Sequence, residues 1–376
     1  MSDATMLRLS FSAYAYLRGH DLHGGRAAVH KALDFFGLTG TMGWFAVSDD
    51  GHQFNFALAF VVVRLTDKGT EYNVVVRGTN PLSLESWFRE DFNVASQVPW
   101  PGSADGGKVS QASATALSLH EGMRDEGRSL YTFLQDSWLA DAAAGRPSVV
   151  RFTGHSLGGL VAPLLALRLA ETAEPGNVSF ELCTFAAPTA GDKAFAAYLE
   201  RTVTAGRIPF GSVRFIRCRD DVAVKVWNKT DMLDIVRLYA AYGVPINGFL
   251  LVVLLLLRRS VRHLGYTQPF SGTERSQTFR VPRADVFSLD AFDAETYLDG
   301  GLQTQFHRAK AVAKRQPSPR VFRNTLAWVV QAVVMHIVPY ATHLLGQREQ
   351  QYVAGTLVKT ILTQDTFFVE RRRLPR

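Results

Sequence analysis

The chain has 376 residues, 47% of them apolar and 20% charged, with 41 Lys and Arg against 34 Asp and Glu and a net charge of +7. That composition supports a large buried core and excludes a disordered, collagen-like or coiled-coil chain. Two cysteines, Cys183 and Cys218, exclude a disulfide framework and a cysteine-rich zinc module. The opening 20 residues carry Asp3, Arg8 and Arg18 around a short amphipathic run, not the apolar stretch of a secretory signal. This predicts a cytoplasmic or membrane-peripheral protein, or one exported by another route.

Residues 6–17 and 25–36 have helical spacing. Residues 54–64 and 72–77 are rich in β-branched and aromatic side chains with a charged, Gly69-containing turn between them, which predicts a hairpin. A long helix is expected over 110–141, ended by Gly145 and Pro147. A buried strand follows over 148–153, then a helix over 158–173 closed by Pro175 and Gly176. Strands over 179–186 and 212–219 flank a helix over 192–202. Strands alternating with helices predict an α/β protein with a mostly parallel central sheet flanked by helices. The chain divides into an N-terminal helical segment (1–50), a core (54–230), an apolar and basic insertion (231–325) and a C-terminal segment (326–376), all in one domain.

The insertion contains 20 uncharged residues, 238–257, bounded by Arg237 and Arg258-Arg259; a second run, 324–346, has no acidic residue, Lys or Arg. Both are long enough to be membrane-span candidates, but Gly243, Pro245 and Asn247 in the first, and Gln331 and Pro339 in the second, favour buried or interfacial helices. Basic residues crowd this third of the chain. No nucleic-acid-binding module accompanies them, so apolar helix plus arginine points to a membrane or lipid-droplet surface rather than nucleic acid.

The chemistry centres on Gly154-His155-Ser156-Leu157-Gly158-Gly159. A G-x-S-x-G run between a strand and a helix places a serine on a sharp, strained turn where a Cβ at either glycine would collide. The following helix N-terminus directs free N–H groups and positive dipole toward that serine. A serine nucleophile needs a base, and the base a carboxylate to orient it. Asp220 and Asp221 follow the strand over 212–219, at the strand end where such sites gather. In the chain order Ser, acid, His, the candidate bases are His263, His307, His336 and His343.

These motifs resemble the class 3 lipases, an α/β-hydrolase family that includes fungal triacylglycerol lipases. Val74 to Asn80 with Trp87, Asp91 and Phe92 is similar to the family's R-G-T and W-x-x-D-F pattern. His120-Glu121-Gly122-Met123 resembles its H-x-G-F, and Thr184 to Asp192 its T-F-G-x-P-x-x-G-D. The resemblance implies an α/β-hydrolase fold with an apolar helical insertion. It also implies Ser156 as nucleophile and the N–H groups of Thr79 and Leu157 as the oxyanion hole. It favours Asp220 as the acid, with Val222 at the family's Val, over Asp221. His263-Leu264-Gly265 looks like the family's H-x-G segment. Pro339 to His343, followed by Tyr352-Val353, is similar to plant oil-body lipases and implies His343 as base, with His336 as runner-up.

The function implied is hydrolysis of carboxylic esters of acylglycerols or phospholipids, a triacylglycerol lipase or phospholipase A1, with no cofactor or metal. Two other readings stand beside it: an inactive hydrolase fold used as a lipid-binding or membrane-anchoring module, and an exported phospholipase toxin. The sequence is silent on oligomeric state.

Overall fold

Seven strands form one sheet whose spatial order is their order in the chain: β1 (Thr41–Asp49), β2 (Phe56–Thr66), β3 (Gly69–Val76), β4 (Ser148–His155), β5 (Val178–Phe185), β6 (Phe210–Cys218) and β7 (Ser276–Phe279). The computed structural model describes residues 1–16, 22–49, 56–78, 94–101, 105–228, 231–235, 238, 248–281, 332 and 334–353. β1, β2 and β3 pair antiparallel; β3 to β7 are parallel. The predicted hairpin is therefore β2–β3, but β1 lies in the N-terminal segment beyond the two predicted helices, where no strand was expected. Its side chains Met42, Trp44 and Phe45 are buried, so tertiary pairing with β2 sets the conformation.

Successive residues of a strand face opposite sides of a sheet, and here each side has its own core. Val74 and Val76 join one core and Val75 the other. The first core holds α3 (Gln111–Gly122), α4 (Leu130–Ala143), α5 (Leu157–Thr172) and α6 (Lys193–Ala205). The second holds α1 (Asp3–Ser12), α2 (Leu22–Phe35) and a helix over 334–344. Thus the two ends of the described chain share one face of the sheet. The joint is tied by a bidentate ion pair from Arg8 to Glu349 at 2.7 and 3.0 Å, and by Phe35 stacked on Tyr352 at 4.1 Å.

Helix starts follow local chemistry. Ser2, Ser110, Ser129 and Asp192 each accept a hydrogen bond from the backbone N–H three residues on, satisfying a donor the helix leaves open. The long helix expected over 110–141 is two helices. Between them Arg124–Asp125 pairs with Arg128–Ser129 across Glu126 and Gly127, whose φ angles are +49° and +79°. Two positive φ angles make the tight turn a two-residue hairpin needs. Asp125 and Arg128 fasten this hairpin to β1 by accepting from the Phe45 N–H and the Trp44 indole N–H.

The first apolar run contributes helix α7 (Gly248–Val261); residues 239–247 lie outside those described. Among the described residues no helix is long and apolar enough to cross a membrane. Cys183 pairs in register with Arg214, four residues before Cys218, and both buried thiols are free.

Candidate active site

Ser156 stands between β4 and α5 with φ +62° and ψ −129°. A side chain held at positive φ is strained, and the surroundings must enforce it. The neighbouring glycines explain how. A Cβ on Gly154 would lie 2.3 Å from the Gly158 backbone, and one on Gly158 would lie 2.1 Å from the Val76 carbonyl. The Ser156 N–H donates to Phe185 O at 3.0 Å, and Ser156 O accepts from the Leu160 N–H at 3.1 Å, so the backbone is pinned on both sides. The hydroxyl Oγ is buried without a hydrogen-bond partner among the described residues. Leu157 opens α5, so its N–H is one of the helix donors with no partner inside the helix.

Asp221 and His336 meet in the buried interior. The imidazole Nδ1 lies 3.0 Å from Oδ1 and 2.9 Å from Oδ2, and neither residue is more than 2% exposed. The Asp221 carboxylate also accepts from the Ala223 N–H at 2.8 Å and the Tyr340 hydroxyl at 3.0 Å. Tyr340 in turn accepts from the Cys218 N–H at 2.8 Å. Burial drives the Tyr340 phenol upward, with the Asp221 charge adding to it, so it remains a donor. An ionised carboxylate only accepts, so Nδ1 carries the proton of a neutral His336 and Nε2 is left with a lone pair. That Nε2 is buried without a partner among the described residues.

The carboxylate–imidazole pair is therefore Asp221 with His336, where the sequence favoured Asp220 with His343. Asp221 closes a turn by donating its N–H to Cys218 O, which aims its carboxylate at the helix over 334–344. Asp220 points elsewhere and accepts from Arg280 Nε at 3.1 Å. His343 is exposed and stacks on Phe279 with ring centroids 4.1 Å apart. Seven residues beyond His336, it is two helical turns, roughly 10 Å, farther along the helix. His263 is exposed at the end of α7. Thr79, Trp87, Asp91, Phe92 and His307 lie outside the described residues. Tyr340 was missed altogether; its signal is position i+4 to His336 in an apolar helix, which puts both polar groups on one face.

His155, the residue before the serine, is fully buried. Burial holds its imidazole well below the usual range, and the adjacent His336 adds to the effect. His120 of the H-x-G-F-like segment lies in the last turn of α3, with Nδ1 2.7 Å from Ala116 O. Burial lowers it to about 4. Among the described residues no group of His, Cys, Asp or Glu could hold a metal ion.

A mostly parallel sheet with helices on both faces, and a strained serine between strand and helix, make up an α/β-hydrolase fold. Residues 73–227 match the family model of the class 3 lipases. No curated protein matches the chain. Among solved structures, it is similar to the M37 lipase at 19% identity and a TM-score of 0.72, covering 98% of this chain and 99% of that one. A triacylglycerol lipase described as having a serine protease triad matches at 22% identity and a TM-score of 0.43, over 60% of this chain and 73% of that one. The Lip2 lipase of Yarrowia lipolytica matches at 16% identity and a TM-score of 0.41, over 60% and 72%.

Proposed function

We propose that the protein hydrolyses carboxylic esters of acylglycerols or phospholipids with Ser156 as nucleophile, His336 as general base and Asp221 as the carboxylate that orients it. The observation that carries this reading is the buried Asp221–His336 pair packed against His155, next to a strained serine. Ser156 Oγ attacks the ester carbonyl while His336 Nε2 takes its proton. The Asp221 charge stabilises the imidazolium, and Tyr340 and the Ala223 N–H keep that carboxylate in place. The Leu157 N–H, with that of Thr79, holds the oxyanion, where one donor is worth about 3 kcal/mol. The imidazolium then protonates the departing alcohol. A water, deprotonated by His336, releases the fatty acid and restores Ser156.

Helix α7 supports a lipid surface as the place of action. Leu255 and Leu256 are 48% and 61% exposed, followed by Arg258 and Arg259. Exposed leucines beside arginines suit the boundary of an anionic bilayer.

The deciding experiment is fatty-acid release from phospholipid vesicles and triacylglycerol emulsions. Ser156→Ala and His336→Ala fall to background in this reading, while His343→Ala keeps most activity. The faster substrate assigns triacylglycerol lipase or phospholipase A1. No release from any ester by the wild type, with vesicle binding intact, favours a lipid-binding module instead.

A further inference from the structure

We propose that Tyr14 and His155 act as positioning residues that hold the backbone of His336, so that the N-terminal helices align the base from the side opposite Asp221. This rests on Ser156 and His336 being nucleophile and base.

His155 bridges two elements far apart in sequence. Its Nε2 lies 2.8 Å from His336 O, and its Nδ1 lies 3.0 Å from the Tyr14 hydroxyl. A carbonyl oxygen only accepts, so Nε2 carries the proton. Nδ1 then has the lone pair and accepts from Tyr14. The Tyr14 hydroxyl therefore selects the one tautomer that can donate to His336. The surroundings bury the bridge and favour the neutral imidazole. Phe11, Tyr14, His336 and Tyr340 pack their rings about His155 at centroid distances of 5.3, 5.9, 4.6 and 5.6 Å. Arg77 lies over the Tyr14 ring at 5.8 Å from its centroid. The His336 carbonyl, in the stretch of helix that holds Pro339, accepts the His155 hydrogen bond.

His336 is thus fixed twice, at its ring by Asp221 and at its backbone by His155. The second hold connects directly to the nucleophile, because His155 and Ser156 are neighbours. Rotating or sliding the helix over 334–344 would move the base relative to the serine only by breaking this bond. A displacement of 1 Å in a catalytic constellation can cost on the order of a hundredfold in rate.

The test is steady-state hydrolysis of a soluble short-chain p-nitrophenyl ester, with thermal melting of every variant. Tyr14→Phe removes the hydroxyl alone, His155→Leu removes the bridge, and His155→Gln restores a donor near the Nε2 position. Leu9→Ala weakens the same core without touching His155. We expect Tyr14→Phe and His155→Leu to lower kcat about tenfold and about a hundredfold, respectively, with KM unchanged. His155→Gln recovers most of the loss, and Leu9→Ala keeps kcat despite a lower melting temperature. Wild-type kcat in both Tyr14→Phe and His155→Leu overturns the relay, as does a kcat loss in Leu9→Ala matching theirs. Ser156→Ala and His336→Ala separate the two questions: if either retains activity, the assignment of nucleophile and base has failed rather than the relay.

Discussion

Asp221 presents both carboxylate oxygens to the Nδ1 edge of His336, at 3.0 and 2.9 Å, while Asp220, one residue earlier, is turned toward Arg280. Adjacent carboxylates thus have separate tasks, and their amides should behave differently. Asp221→Asn presents an amide that can favour the wrong imidazole tautomer, and kcat should fall about ten-thousandfold. Asp220→Asn loses a pair with a half-exposed arginine, so its effect on kcat should stay within about threefold. Initial rates on a soluble ester check both; equal losses would contradict the assignment of Asp221.

Tyr340→Phe deletes one hydroxyl, which takes one donor from the Asp221 carboxylate and leaves the Cys218 N–H without its acceptor. We expect about 1–3 kcal/mol less stability in urea unfolding. A fall in kcat should accompany it, because the carboxylate loses one of its fixed donors. Unchanged stability would show that water replaces the hydroxyl at no cost.

Gly158→Ala places a methyl group 2.1 Å from the Val76 carbonyl, a backbone atom that cannot swing away. The strand and helix would have to separate. The expected cost is about 3 kcal/mol or more, read as a lower urea midpoint, together with loss of activity. A normal urea midpoint would mean that the turn after β4 can relax without penalty.

What the sequence made legible was local. The elbow is written in consecutive residues, because a strained serine needs small neighbours at fixed offsets. The acid was narrowed to two positions and Asp220 favoured, since the direction of a carboxylate after β6 depends on a turn the sequence does not display, the one closed by Asp221 N–H and Cys218 O. The histidine was harder. Choosing His336 over His343 depends on how far along an apolar helix the Asp221 carboxylate sits, a purely tertiary fact. The spacing of His336 and Tyr340 carried that information, but only once Asp221 was known to receive both. β1 escaped notice because its strand character comes from pairing with β2, and the break between α3 and α4 because Glu126-Gly127 is a short signal inside a long helical pattern.

Asp141 gives the fold an acid-sensitive contribution. Burial alone would raise its carboxyl, but hydrogen bonds from Tyr72, Arg146 and Ser148 outweigh that and hold it below the usual value. With the folded value depressed, the stabilisation is complete above the ordinary carboxyl range near 3.9 and is lost as pH falls through the folded value. Melting temperatures of the wild type and Asp141→Asn should therefore differ most near neutral pH and converge in acid. A gap that widens on acidification would contradict this.

Asp221 and His336 are 115 residues apart, and His155 and His336 are 181 apart. A ribosome finishes the serine and the carboxylate long before it adds the imidazole, and the sheet can form around them in the interval. With His336 as the base, the growing chain gains hydrolytic power only once the helix over 334–344 has emerged and packed beside α1 and α2.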